Sequence, residues 1–346
     1  MVLRGSKIVY EGARSPMADL ALTEQLASTD RTATVRRFGR GDARFRNLTF
    51  AAALLVLAIF VGIMISLTTG AWLALKTFGF SFLVTESWNP VTEKFGALAP
   101  IYGTLVSSAM AMIIAVPVGI GIAIFLTEIC PRQLKRPIGI AIELLAGIPS
   151  IIYGIWGLFV FVPFFQEHIQ PWLVDLFADV PVLNTLFAGP PYGIGLFTAG
   201  LILSIMVLPF ITAVSRDVFE TVPPVLKEAA YGLGSTTWEV MRHVVLPFAR
   251  GGVVGGSMLA LGRALGETMA VTFVVGNAHR ISSSLFAPGT TISAAIANEF
   301  TEAVGDLYLS SLIELGLILF FITFLVLAAA QLMLRSLERR AGGISA

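Results

Sequence analysis

Val222-Pro223-Pro224-Val225-Leu226-Lys227-Glu228-Ala229-Ala230-Tyr231-Gly232-Leu233-Gly234, continuing through Ser235 to Leu246-Pro247, is a patterned polar stretch between two long apolar ones. Proline suits the first turn of a helix, where its missing N–H costs nothing, so the pair at 223–224 reads as a helix start. Leu226, Ala229, Ala230 and Leu233 recur at three- and four-residue spacing and share one helical face. Gly232 and Gly234 then stop or turn the helix. A second helix is expected from Thr236 to Val245, ending at Leu246-Pro247. A short helix with an apolar stripe must bury that stripe, either against its own chain or in the groove of a partner. Periodicity leaves both open.

On either side of this loop (215–250) the chain is made for lipid. Of its 346 residues, 56% are hydrophobic and 13% charged, about half the charged fraction of a soluble domain. Six stretches are long and apolar enough to cross a bilayer: Leu48–Leu73, Ile101–Leu126, Ile138–Phe165, Tyr192–Val214, Gly252–Val275 and Leu309–Leu332. The expected fold is an all-α membrane protein of about six transmembrane helices. Pro117, Pro149 and Pro209 fall inside these spans and predict kinks, because each removes a backbone donor.

Basic residues set the orientation. Nineteen of the 23 Lys and Arg fall on one side of a six-span layout, among them Arg132, Lys135, Arg136, Arg216, Lys227, Arg242 and Arg250. The other side holds Lys76, Lys94 and Arg280, and Arg263 lies within the fifth span. Both termini are therefore expected in the cytoplasm. Residues 1–47 read as a polar, flexible cytoplasmic tail, residues 48–336 as the membrane domain, and 337–346 as a short cytoplasmic tail. The outer segment 276–308 is rich in Ser and Thr and reads as a solvated loop.

Arg263 and Glu267, in Leu261-Gly262-Arg263-Ala264-Leu265-Gly266-Glu267-Thr268, are four residues apart and would share a helical face. A charge at mid-membrane costs about 2.5–3.5 kcal/mol, so such residues face water or the bundle interior and mark function. An arginine in a pore attracts an anion and grips phosphate in a fork. A carboxylate beside it suits an anion that carries a proton, such as hydrogen phosphate, better than sulfate. Gly252, Gly256, Gly262 and Gly266 at small-xxx-small spacing predict close helix packing.

Two stretches carry a resemblance. Glu228-Ala229-Ala230, then Gly234, then Val244, Leu246 and Pro247 at the matching spacing, resembles the EAA loop of ABC importer permeases, with Val244 where isoleucine is more usual. The stretch Met258 to Thr272, with Ala146-Gly147-Ile148-Pro149-Ser150 and Tyr153-Gly154, is similar to the PstC-type phosphate permease subunits, over roughly residues 98–335. The resemblance implies the ABC type I importer permease fold, with the loop as a coupling helix seated in a separate ATPase. Glu228, Ala229, Ala230, Gly234, Leu246 and Pro247 would then couple the subunits, and Arg263 and Glu267 would lie on the phosphate path. It implies a bacterial inner-membrane complex: a second homologous permease, an ATPase dimer and an extracytoplasmic phosphate-binding protein. No Walker A motif occurs, so the chain would bind no cofactor and ATP would be used by the partner.

The remaining polar residues point elsewhere less clearly. His168, His243 and His279 have no metal-ligand spacing, so no metal site is expected. Cys130 is alone and reads as a packing residue. Glu128, Glu143 and Glu314 read as span-end residues relieved by snorkelling. A permease for sulfate or molybdate is the nearest alternative function. An ion-gradient-driven transporter would leave the 215–250 loop without a role. An intramembrane enzyme would need a nucleophile and base that the spans lack.

Overall fold

In the computed structural model, residues 44–342 are described, with side chains through Arg335. The tail expected over 1–47 lies almost wholly outside the described residues; 44–47 already form the first turn of a helix. The chain divides after Ile65 into two units.

Among the described residues, six helices are long and apolar enough to span a membrane: α1 (Arg44–Gly70), α3 (Leu98–Ile129), α5 (Ser150–Leu176), α6 (Leu196–Glu220), α8 (Thr237–Leu265) and α11 (Asp306–Arg335, helical to Gly342). Between them lie α2 (Trp72–Phe78), α4 (Arg132–Ala146), α7 (Pro224–Gly232), α9 (Met269–Thr272) and α10 (Ile292–Glu299). The short C-terminal tail expected from 337 begins as a continuation of α11.

The most buried span is α6, which packs against α3, α8 and α4. Close approach depends on missing side chains. A Cβ at Gly119 would sit 2.9 Å from Ile211, and one at Gly200 would sit 2.9 Å from Met110. Gly252 and Gly256 of α8 meet Val218 and Val214 of α6 in the same way, whereas Gly262 faces Leu327 of α11. The small-residue spacing therefore serves two different neighbours. Without a hydrophobic drive between helices in lipid, such close packing supplies the association energy.

Three spans depart furthest from the sequence reading. The third span does not begin at Ile138. The chain breaks at Gly147-Ile148-Pro149, where Pro149 is extended (φ −57°, ψ 136°), and the span runs from Ser150 to Leu176. The residue before a proline resists the helical region, so the run from 132 is split in two. The fourth span extends past Val214 to Glu220 because its polar end is paired: Arg216 Nη2 lies 2.8 Å from Glu143, and Lys135 Nζ lies 3.0 Å from Glu220. The fifth span starts at Thr237 and stops at Leu265, well before Val275. The second helix of the 215–250 loop does not end at Leu246-Pro247 but continues straight into this span.

Pro247 is tolerated there by a wide turn over Met241–Val245, and Pro163 of α5 follows a similar turn over Gly157–Phe161. In both, the carbonyl four residues earlier, which the ring would strike in a regular helix, lies in the widened turn.

The segment after α9 is folded rather than solvated. Gly195 N–H donates to Val274 O (2.9 Å), Phe197 N–H to Leu285 O (2.8 Å), and Gly289 N–H to Val275 O (2.9 Å). Thr290 and Thr291 are buried, and Thr291 Oγ1 caps α10. Phe286 of this segment packs ring against ring with Phe165 and Phe197.

Candidate functional site

The first site is the meeting of two helix breaks. At the first, α4 ends and α5 begins across Gly147-Ile148-Pro149. Tyr153, buried in the first turns of α5, donates its hydroxyl to Leu145 O at 2.8 Å, so a carbonyl freed by the break is satisfied across it. At the second, α8 ends at Leu265, and Gly266 has left helical geometry (φ −93°, ψ 2°). The chain re-enters a single turn at α9, which packs on α5. Gly154 is the contact point: a Cβ there would sit 2.7 Å from Phe273 Cδ2, 3.0 Å from Met269 O and 3.1 Å from Ala270 Cα.

This geometry corrects the expectation that Arg263 and Glu267 share a helical face. Arg263 is in the last turn of α8 and exposed, whereas Glu267 lies beyond the helix end and is half-buried. The two form no ion pair, and Glu267 Oε1 instead accepts from Ala270 N–H at 3.3 Å, at the start of α9. No acidic side chain among the described residues comes within ion-pair distance of Arg263. The break thus separates a guanidinium open to an anion from a carboxylate that orders the next turn. The sequence carried the signal for the break, Gly266 within an apolar run, but averaging over the span hides it.

The second site is the α7 hairpin. α7 opens after Pro223 as expected. It closes in a Schellman motif: Ser235 N–H donates to Ala230 O (3.2 Å), Gly234 N–H donates to Tyr231 O (2.9 Å), and Gly234 takes φ +88°. A Cβ at Gly234 would meet nothing within 4 Å, so its backbone angle, not space, demands glycine. Thr236 and Glu239 form a reciprocal capping box that starts α8, with Thr236 N–H 2.8 Å from Glu239 Oε2.

Only Ala230 of the apolar stripe packs inward, on a cluster that includes Val240, Met241 and Val245. Glu228 and Ala229 are exposed, as are Val225, Leu226, Leu233 and Trp238. Of the two ways to bury the stripe, the chain itself supplies little. Leu246 is half-buried and Pro247 exposed at the end of the hairpin's second arm. Lys227, which the sequence reading did not single out, pairs with Glu128 at the end of α3. Glu143 is likewise paired rather than snorkelling.

Comparison with known proteins then decides the family. Residues 115–342 match the model of the binding-protein-dependent transport system inner membrane component family. The chain belongs to that family. The chain is similar to the Phosphate transport system permease protein PstC of Mesorhizobium japonicum, 70% identical over 314 residues, which is 91% of this chain and 96% of the relative. The protein of the same name from Pasteurella multocida is 61% identical over 298 residues, 86% of this chain and 93% of its own. The fold is also that of solved importers. A chain of a bacterial ABC transporter involved in the import of the acidic polysaccharide alginate superposes with a TM-score of 0.56 at 18% identity, covering 84% of this chain and 95% of that one. A chain of the MetNI methionine transporter, in an inward-facing state, gives 0.51 at 16%, covering 72% and 99%. This inner membrane component therefore has the ABC importer permease fold and crosses the membrane several times.

Proposed function

We propose that this chain is the permease subunit of an ATP-driven phosphate importer, forming half of its translocation path. The observation that carries the reading is 70% identity, across nearly the whole of both chains, to a permease named for phosphate transport. The site geometry supports it. Arg263 at the end of α8 has no acidic partner, so its fork is free for an oxyanion. Glu267, fixed on Ala270 N–H, can accept the proton of hydrogen phosphate with its other oxygen.

In this reading the exposed face of α7, with Glu228 and Ala229, docks in a groove of a cytoplasmic ATPase dimer, and Gly234, Leu246 and Pro247 hold the hairpin that transmits its closure. ATP is hydrolysed there and not in this chain. A second, homologous permease completes the pore, and an extracytoplasmic phosphate-binding protein delivers the anion. The complex sits in the bacterial inner membrane with both termini of this chain in the cytoplasm, the orientation that the basic residues favour.

The test is uptake of radiolabelled phosphate by cells expressing the whole complex, with excess sulfate as competitor. Uptake that resists sulfate and collapses in Arg263→Gln, with insertion unchanged, is the expected result. Wild-type uptake by the variant would remove Arg263 from the path. Uptake abolished by sulfate in the unaltered complex would reassign the substrate to another oxyanion.

A further inference from the structure

Glu314 is a carboxylic acid in the wrong place for a span-end residue. It lies two turns inside α11 and is only 3% exposed. Its Oε2 is buried, and no group among the described residues donates to it. A buried acceptor without a donor is costly, and more so at membrane depth, where water is scarce.

The residue lines an open apolar groove of about 660 Å³ between α11, α2 and the start of α3. Along α11 the groove is lined by Glu314, Leu317, Ile318, Phe321, Ile322 and Leu325, with Leu75 and Phe80 on the facing wall. The α11 positions fall at i, i+3, i+4, i+7, i+8 and i+11, one continuous face of the helix. They extend over about 16 Å of helix axis at 1.5 Å per residue. Phe321, Leu325 and Phe80 are exposed. An apolar face of this length fits a transmembrane helix better than a compact headgroup. A lipid tail would fill the groove but has no donor for Glu314, whereas a helix bearing Ser, Thr, Asn or Gln has one.

We infer that the α11–α2 groove is the seat of a transmembrane helix of the second permease subunit, which places a hydrogen-bond donor on the Glu314 carboxyl. This rests on the proposed function for the existence of that subunit. It adds the surface, the residue that fixes register and the chemistry required of the partner helix. A single polar contact in an apolar seam specifies alignment, as a buried polar residue does in coiled coils.

A photoreactive benzoylphenylalanine at Phe321, in the full complex in native membranes, tests it. The expected product is a covalent adduct with the second permease. Glu314→Leu in the same background is expected to lower that adduct about threefold to tenfold, the range of one interhelical hydrogen bond, and Glu314→Gln, which still accepts, is expected to retain it. Adducts with lipid alone, with a second copy of this chain, or with nothing would overturn the docking assignment. An adduct indifferent to Glu314→Leu would overturn the role of the carboxyl. Phosphate uptake is measured on the same cells. Adduct without uptake would count against the phosphate reading and leave the groove assigned; uptake without adduct would do the reverse.

Discussion

Lys227 Nζ lies 2.5 Å from Glu128 Oε1, and the two side chains are only 19% and 11% exposed. This pair ties the exposed hairpin helix α7 to the last turn of α3, so a push on α7 reaches α3 through a charged contact as well as α8 through Ala230 and the hairpin turn. Burying half of such a pair leaves an uncompensated charge, which costs about 1–3 kcal/mol. Glu128→Gln and Lys227→Met should each lower the unfolding midpoint of the purified complex. Phosphate uptake should fall further than assembly with the ATPase does. The charge-exchanged variant, Glu128→Lys with Lys227→Glu, should recover part of the loss. Additive behaviour of the two single changes would show that the contact carries nothing.

Gly234 is a second, independent lever on the hairpin. Its φ of +88° is left-handed, and its surroundings are open. Gly234→Ala should cost about 1 kcal/mol through backbone strain alone, and Gly234→Asn, which tolerates that region, should cost less. ATPase-coupled uptake in the two variants should follow the same order. Equal effects would point to a side-chain contact in the assembled complex instead of to backbone angle.

Gly154 carries the contact between the two helix breaks. An added methyl would meet the Phe273 ring at 2.7 Å and the Met269 carbonyl at 3.0 Å. The ring can move and the carbonyl cannot without shifting α9. Gly154→Ala should therefore cost about 1–3 kcal/mol by overpacking and displace Glu267, which is hydrogen-bonded to α9. Uptake should drop while the amount of protein in the membrane holds. Unchanged uptake would mean that α9 is free to shift without consequence for transport.

Glu299 gives a pH prediction. Burial pushes its carboxyl up, but hydrogen bonds from His279, Tyr308 and Trp88 outweigh burial and hold it below the usual glutamate range. A carboxylate lowered in the native state stabilises fully above its unfolded value and loses that contribution as pH falls through the native one. The complex should therefore lose thermal stability as pH drops from about 4.3, the ordinary glutamate value, into the more acidic range. Glu299→Gln should flatten this part of the profile. The same slope in both proteins would assign the acid sensitivity to other groups.

Much of the fold was legible because lipid imposes a one-dimensional rule: about 20 apolar residues per span. The α7 hairpin was legible for a similar local reason, since Pro223-Pro224 and Gly234 dictate their own backbone. What averaging over a span could not register was a break inside it. Ile138 to Phe165 averages as apolar despite Glu143, yet Pro149 divides it into α4 and α5. Gly266 ends α8 in mid-run, and with it the expected shared face of Arg263 and Glu267.

The apolar lengths, the turn residues and the charge asymmetry are properties of the chain alone, because they depend on each residue's own transfer energy or backbone preference. Sequence by itself therefore determined a six-span membrane protein with a structured loop between the fourth and fifth spans. Only the tertiary structure decided that Glu267 accepts from Ala270 N–H instead of pairing with Arg263, that Lys227 meets Glu128, and that Glu314 lies buried beside an open groove. Those outcomes depend on which helices become neighbours and how closely their glycines let them approach. Packing across helices far apart in sequence settles that, and no local pattern encodes it.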